Sequence, residues 1–278
     1  MKVIDGVLFS TEVDLLKIRL DYYKDVVDEF VICEANKNFY GEDRDLVYPT
    51  IKDSLGSLAD KVTYIVCDTF EAVEKTQGNP RTWNNEMLLR ESLNQRFNDA
   101  TDDDILIFSD VDEFYDKSLI VEREKPLSCL MHTAYFFTDY VQWEHTGGRS
   151  RIGGPQMYQR KQFHNFKNNQ FSQFSSDYKS TSCLRNNSMS GYKEISQGMS
   201  WHLSYLHHEK SIPQKLSTFS HSELLHLKDL PMSYFNDKIR NFSDIFDRPN
   251  FYYKVEKFLP DDLAAHFNES YSFSSFSS

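Results

Sequence analysis

No run of about 20 uninterrupted apolar residues occurs in the chain, which excludes a conventional membrane-spanning helix. The N-terminus carries Asp5 inside its first apolar stretch and lacks the apolar region of a secretory signal, so a cytoplasmic location is expected. Cysteine is scarce: Cys33, Cys67, Cys129 and Cys183 are far apart and form no C-x-x-C, which excludes zinc-ribbon and thioredoxin-like readings. Reduced, packed thiols are expected, and the sequons at Asn186, Asn241 and Asn268 then carry no glycosylation meaning. Neither G-x-x-x-x-G-K-[ST] nor G-x-G-x-x-G is present, so P-loop and dinucleotide-binding readings have no support. Positive charge is also in deficit. With 31 Lys and Arg against 42 Asp and Glu, the net charge of −11 excludes a histone-like coat or a polybasic membrane binder.

What is there suffices for a sizeable core: 278 residues, 40% of them apolar. The first 110 residues alternate strand and helix signals. Val3 to Phe9 reads as a strand, and Thr11-x-x-Asp14 reads as a capping-box variant. It opens a helix whose Val13, Leu16, Leu20 and Tyr23 recur at spacings of three and four. Further strands are expected at Phe30 to Cys33, Val62 to Val66 and Ile105 to Phe108, with helices near Pro49 to Leu58 and Thr82 to Phe97. This βαβαβαβ order predicts an α/β fold with a mostly parallel central sheet flanked by helices. Beyond about residue 124 aromatic residues crowd in, as at Tyr135-Phe136-Phe137 and Trp143, and suggest strands that add to or cover the sheet. No linker or internal repeat divides the chain. A single domain over 1–265 is expected, with a nucleotide-sugar-binding half (1–123), an acceptor half (124–265) and a flexible tail (266–278).

Ligands of open α/β sheets bind outside the carboxyl ends of the strands, and Asp110, Asp112 and Glu113 stand at such an end. On an extended segment alternate residues point the same way, so Asp110 and Asp112 can face one ligand, holding a divalent cation and a ribose hydroxyl. Such a cation neutralises a diphosphate and makes it a better leaving group. Acidic residues after a strand also cap helices, so the pattern alone leaves that alternative open. A D-x-D also marks phosphatases of the haloacid dehalogenase type, but there it follows the first strand, whereas here it follows the fourth and continues Glu-Phe-Tyr.

With these residues in view, the sequence resembles glycosyltransferase family 17. The resemblance is carried by Ile4-Asp5 through Phe9, Glu12 to Leu16, Arg19-Leu20, Val27 to Ile32, Glu34 to Lys37, Phe39 and Gly41. It continues in Trp83, Glu86 and Arg90, the string Asp104 to Glu113, Trp201 to Ser204, Lys215, Phe219 to His221 and Glu223, spanning roughly residues 3 to 265. It implies a GT-A-like single domain, a nucleotide-sugar donor, Mn²⁺ or Mg²⁺ as cofactor and inversion at the anomeric carbon, with Asp110 and Asp112 in the D-x-D role. Two departures from the family are read here: no counterpart of the membrane anchor of the Golgi enzymes is expected, and Tyr115 stands near where many relatives carry Pro.

Inverting transfer needs one carboxylate to deprotonate the acceptor hydroxyl, and Glu144, Asp139 and Glu223 are the candidates. His202 and His221 are candidate third metal ligands or diphosphate contacts, alongside Asp112 and Asp110. Glu34, Arg160 and Lys161 are candidates for binding the donor, while Arg19 with Asp5, and Glu86 with Arg90, also read as structural pairs. From His145 to Lys193 eight bases face the single acid Asp177, a net +7 that leaves −18 elsewhere. Tyr158, Phe163, Phe166, Phe171 and Phe174 are interleaved with these bases, a composition suited to phosphate contact plus base stacking. Arg149, Arg151, Lys167 and Trp143 are accordingly the acceptor-binding candidates. The expected function is transfer of a sugar from a UDP-sugar to a saccharide hydroxyl. The alternatives are transfer to a hydroxymethylated pyrimidine flipped from DNA, and a non-catalytic sugar- or nucleotide-binding module.

Overall fold

Alternation along three strands decides where the helices go. A computed structural model of the chain describes residues 1–144, 148–149, 151–162 and 194–277. In it β1 (Val3–Phe9), β2 (Glu29–Ala35), β3 (Val62–Cys67) and β4 (Ile105–Asp110) are parallel, in the order β3-β2-β1-β4. Val7, Phe9, Phe30, Ile32, Ile105 and Ile107 face one side, packed with Leu15, Leu16 and Leu20 of α1 (Val13–Tyr23). Their neighbours Ile4, Leu8, Val31, Cys33, Leu106 and Phe108 face the other side. There they meet Leu89 of α3 (Arg81–Ser92), Leu93, and Phe97 of α4 (Asn94–Phe97). Strands buried on both faces are continuous apolar runs for this reason. At about 1.5–3 kcal/mol for each buried large side chain, these two layers dominate the stability of this half.

The expected α/β fold with parallel central strands between helices is therefore present, and the remaining strands extend it mostly antiparallel. β9 (Arg151–Gln159) pairs with β4 and with β6 (Leu127–Tyr135); β7 (Tyr140–Glu144) pairs with β6, β8 (Gly148–Arg149) and β11 (Asn250–Lys254). β10 (Glu194–Ser204) runs parallel to β6 and antiparallel to the short β5 (Glu113–Tyr115). The aromatic crowding seen in the sequence becomes a third cluster. Tyr135, Phe136, Phe137, Tyr140 and Tyr252 pack there with Ile212 and Leu216 of α5 (His208–Thr218) and Phe235 and Ile239 of α6 (Met232–Arg240).

Several local expectations change. Thr11 does not cap α1: Glu12 is the capping residue and makes no side-chain cap bond, and its carboxylate instead accepts from the Thr11 amide at 2.9 Å. The helix expected at Pro49 to Leu58 is a single turn, α2 (Tyr48–Ile51), followed by a 3₁₀ run, Lys52–Lys61. The serine- and aromatic-rich end, expected to fray, is docked. Tyr271 and Phe273 are buried, and Asp139 accepts from Ser272 Oγ at 2.8 Å and from the Phe273 amide at 2.7 Å. An aromatic residue every second or third position can anchor a segment that its serines alone would leave solvated.

Candidate active site

Two side chains of α1, spaced i,i+4, build the platform beneath the acidic string. The Arg19 guanidinium is fully buried; it grips both Asp5 carboxylate oxygens at 2.9 Å, donates to Ser109 Oγ at 2.6 Å and to the Glu113 carbonyl at 2.5 Å. The Tyr23 hydroxyl donates to the Tyr115 carbonyl at 2.8 Å and accepts from the Tyr115 amide at 2.7 Å. One edge of β5 is thus satisfied by helix side chains and the other by β10, as buried backbone groups require. Asp110 ends β4, and its amide donates to the buried Glu113 carboxylate at 3.0 Å, closing the turn through Val111 and Asp112. Because of that turn the two aspartates do not share the period-two geometry expected of an extended segment. The Asp110 side chain is 29% exposed and reaches α3, whereas that of Asp112 is 8% exposed and reaches α5 and β10.

Each aspartate carries a protein cation. Arg90 holds Asp110, Nη1 to Oδ1 at 3.0 Å, and also holds Glu86 at 2.6 Å; Glu86 in turn accepts from the Ser220 hydroxyl. Lys215 Nζ lies 3.1 Å from Asp112 Oδ2 and 3.5 Å from Glu12, over the Tyr205 ring, while His202 Nε2 is 3.4 Å from the same Asp112 oxygen. β10 puts His202 there by pairing it with Glu113. Burial alone would favour a protonated Asp112, but the Lys215 ammonium, then His202, outweigh it and hold the carboxyl well below the usual carboxylate range. Burial alone would likewise lower Lys215, and Asp112 with Glu12 raises it above the ordinary lysine value. Arg90 is raised in the same way by Asp110 and Glu86.

Among the described residues, the ion pairs of this cluster set Glu12, Glu86, Asp110 and Asp112 against Arg90 and Lys215, two negative charges in excess, and a diphosphate would add more. This deficit and the donor set, carboxylate oxygen beside imidazole nitrogen, fit a divalent ion of the Mn²⁺ or Mg²⁺ kind. Among the described residues no three His, Cys, Asp or Glu side chains form a complete metal cage. An ion that takes one or two protein ligands and the substrate's phosphates needs none.

Other candidates fall elsewhere. Glu34, expected at the donor, is fully buried and staples a loop: it pairs with Arg44 at 2.9 Å and accepts from the Val47 and Tyr48 amides and the Tyr64 hydroxyl. Arg160 and Lys161 follow β9, which runs antiparallel to β4, so they sit at the opposite end of β4 from Asp110, roughly 17 Å away at about 3.3 Å per residue. Lys161 there pairs with Asp103 and Glu122. Asp139 is spent on the C-terminal segment, which removes it as a base. Trp143 packs on Tyr253, three strands from β4 in sheet order. Glu144, Arg149 and Arg151 have backbone positions only, opposite Asn250, Trp143 and His132, and Lys167 with most of the basic stretch lies outside the described residues. His221 stands not with Asp112 but with Glu223, Nδ1 to Oε1 at 2.7 Å, and edge-on to Trp83. The roles of Arg90 and Lys215 toward the aspartates were not read from the sequence. The i,i+4 spacing of Glu86 and Arg90 was the only local signal; Lys215 entered through the resemblance alone, since its contact depends on how α5 packs.

Comparison with known proteins adds a likeness over the first part of the chain. A model of glycosyltransferase family 17 matches residues 1–126. This portion contains β1 to β5, the Arg19 platform, the Glu86–Arg90 stripe and the Asp110–Asp112 turn; His202, Lys215 and Glu223 lie beyond it. Curated relatives named β-1,4-mannosyl-glycoprotein 4-β-N-acetylglucosaminyltransferase, from Rattus norvegicus and Homo sapiens, are each 33% identical over 118 residues. That is 40% of this chain, which spans about a fifth of the relatives' length (21%). A solved structure from Desulfovibrio desulfuricans G20, described as a nucleotide-diphospho-sugar transferase, is 9% identical at a TM-score of 0.37, covering 87% of this chain and 97% of its own. A mannose-6-phosphate isomerase from Helicobacter pylori is 12% identical at 0.32, covering 60% and 74%. Neither fold likeness is close enough to inform the site.

Proposed function

We propose that the protein is a nucleotide-sugar-dependent glycosyltransferase that moves a sugar from a UDP-sugar to a saccharide hydroxyl with inversion, with Mn²⁺ or Mg²⁺ at the aspartate turn. The observation that carries this reading is the charge deficit around Asp110 and Asp112, at the carboxyl end of β4 in the family 17 portion. Asp112 and His202 would hold the ion, which supplies positive charge to the leaving diphosphate. Arg90 fixes Asp110 for the ribose hydroxyls, and Lys215 keeps Asp112 ionised and adds a cation beside the phosphates. In the transfer the acceptor oxygen bonds to the anomeric carbon as the bond from that carbon to the diphosphate oxygen breaks. Its electron pair leaves on the diphosphate. The hydroxyl proton passes to a carboxylate, and Glu223 is the candidate whose described side chain is exposed and not committed to holding the fold.

The test is incubation with Mn²⁺ and a panel of nucleotide sugars, following nucleotide release with and without saccharide acceptors and reading product stereochemistry by NMR. Release from a UDP-sugar that is lost in Asp112→Ala supports the reading. Release from no donor overturns it.

A further inference from the structure

Outside the aspartate turn, the surface that the transfer chemistry leaves unexplained is an aromatic rim. Trp83, Glu86 and Arg90 stand at i, i+3 and i+7 of α3 and so form one stripe of the helix. The stripe begins at Asp110, through Arg90, and ends at Trp83, whose residue is 38% exposed. The segment after α5 closes over it: Ser220 hydrogen-bonds to Glu86, and the Thr82 hydroxyl donates to the Ser220 carbonyl at 2.6 Å. This fixes the next residue, His221, with its ring edge-on to the Trp83 indole at 4.6 Å and tilted against Phe219 at 5.3 Å. Glu223 completes the group by its bond to His221 Nδ1, and both side chains are about half exposed, 46% and 51%. The buried Tyr40 hydroxyl nearby has no hydrogen-bond partner among the described residues.

We propose that Trp83, His221 and Glu223 form the subsite that seats the acceptor saccharide. An exposed indole face packs on the C–H face of a sugar ring, and a carboxylate beside it accepts charge-assisted hydrogen bonds from the ring hydroxyls. The same carboxylate repels phosphate, so this rim suits a neutral polyol and not the nucleotide diphosphate. Trp83 stands seven residues along α3 from Arg90, about 10 Å at 1.5 Å per residue, on the stripe that leads to Asp110. The inference rests on the transferase reading above and adds the place and the chemistry of its acceptor.

The experiment uses the whole chain. Methyl β-glucoside, methyl α-mannoside and methyl β-N-acetylglucosaminide, and separately UDP, are titrated by calorimetry, and acceptor KM is measured with whichever donor turns over. At least one saccharide is expected to bind. Trp83→Ala should weaken that binding and raise acceptor KM at least tenfold, with UDP affinity moving less than twofold, and Trp83→Phe should restore most of the binding. Saccharide affinity, or an acceptor KM, that is unchanged in Trp83→Ala overturns the subsite, as does a tenfold loss confined to UDP or a wild type that binds none of the saccharides. Failure of the wild type to bind UDP or release nucleotide is a separate result and overturns the transferase reading. The saccharide titration still decides the subsite.

Discussion

Replacing Lys215 by Met isolates the electrostatic core of the site. The substitution keeps the unbranched apolar stem, one atom shorter, and removes the ammonium 3.1 Å from the carboxylate of Asp112, whose side chain is 8% exposed. Removing one partner of a buried pair costs about 3–5 kcal/mol. Here the figure is smaller, because the Lys215 side chain is 20% exposed and His202 stays beside Asp112, so about 2–3 kcal/mol is expected at pH 7. For a chain of this size that is a fall in Tm of roughly 5–10 °C, read by calorimetry or circular dichroism. The pH dependence has a definite sign. Asp112 sits below the ordinary carboxylate value, so its contribution is present above about pH 4 and is lost as pH falls through its folded value. Lys215 sits above the ordinary lysine value, so its contribution is present below about pH 10 and is lost as pH rises through its folded value. In the variant, burial without the ammonium lifts Asp112 and lets it take up a proton on acidification, so the Tm gap should narrow between pH 7 and pH 4. A fall of less than 2 °C at pH 7, or a gap that does not narrow, would refute the reasoning.

The same variant should bind Mn²⁺ more tightly, since the ammonium no longer competes for Asp112; electron paramagnetic resonance of free Mn²⁺ measures this, and an unchanged affinity would count against a metal at that carboxylate. Glu34→Gln should cost about 1–3 kcal/mol in urea denaturation through the loop it staples, and leave UDP affinity within twofold in calorimetry. Lys161→Ala should likewise bind UDP as the wild type does, and a tenfold loss would mean that the far end of β4 contacts the donor after all. Asp139→Ala releases the anchor of the C-terminal segment and should expose residues 269–277 to limited proteolysis, with mass spectrometry locating the cut.

The apolar runs at β1, β2 and β4 and the helical spacing of α1 decided the parallel half of the fold before any packing was known, because strands buried on both faces and one-sided helices have distinct periods. The acidic string was legible too, since its place after the fourth strand sets it at the end where such sheets bind ligands. The Asp5–Arg19 pair was open in the sequence as structure or function. Its burial and its two further bonds, to Ser109 and to the Glu113 carbonyl, make it the brace under the turn.

Direction was what the sequence could not supply. Arg160 and Lys161 look like phosphate binders by residue type, but the antiparallel sense of β9 carries them to the wrong end of β4. Asp139 looks like a base until the C-terminal segment docks on it. Lys215 lies 103 residues from Asp112 and carries no spacing signal toward it. Local order and periodicity are written in neighbouring residues and can be read there. Which distant charge meets which is set by the packing of α3, α5 and β10 around the turn, and the tertiary structure alone decided that.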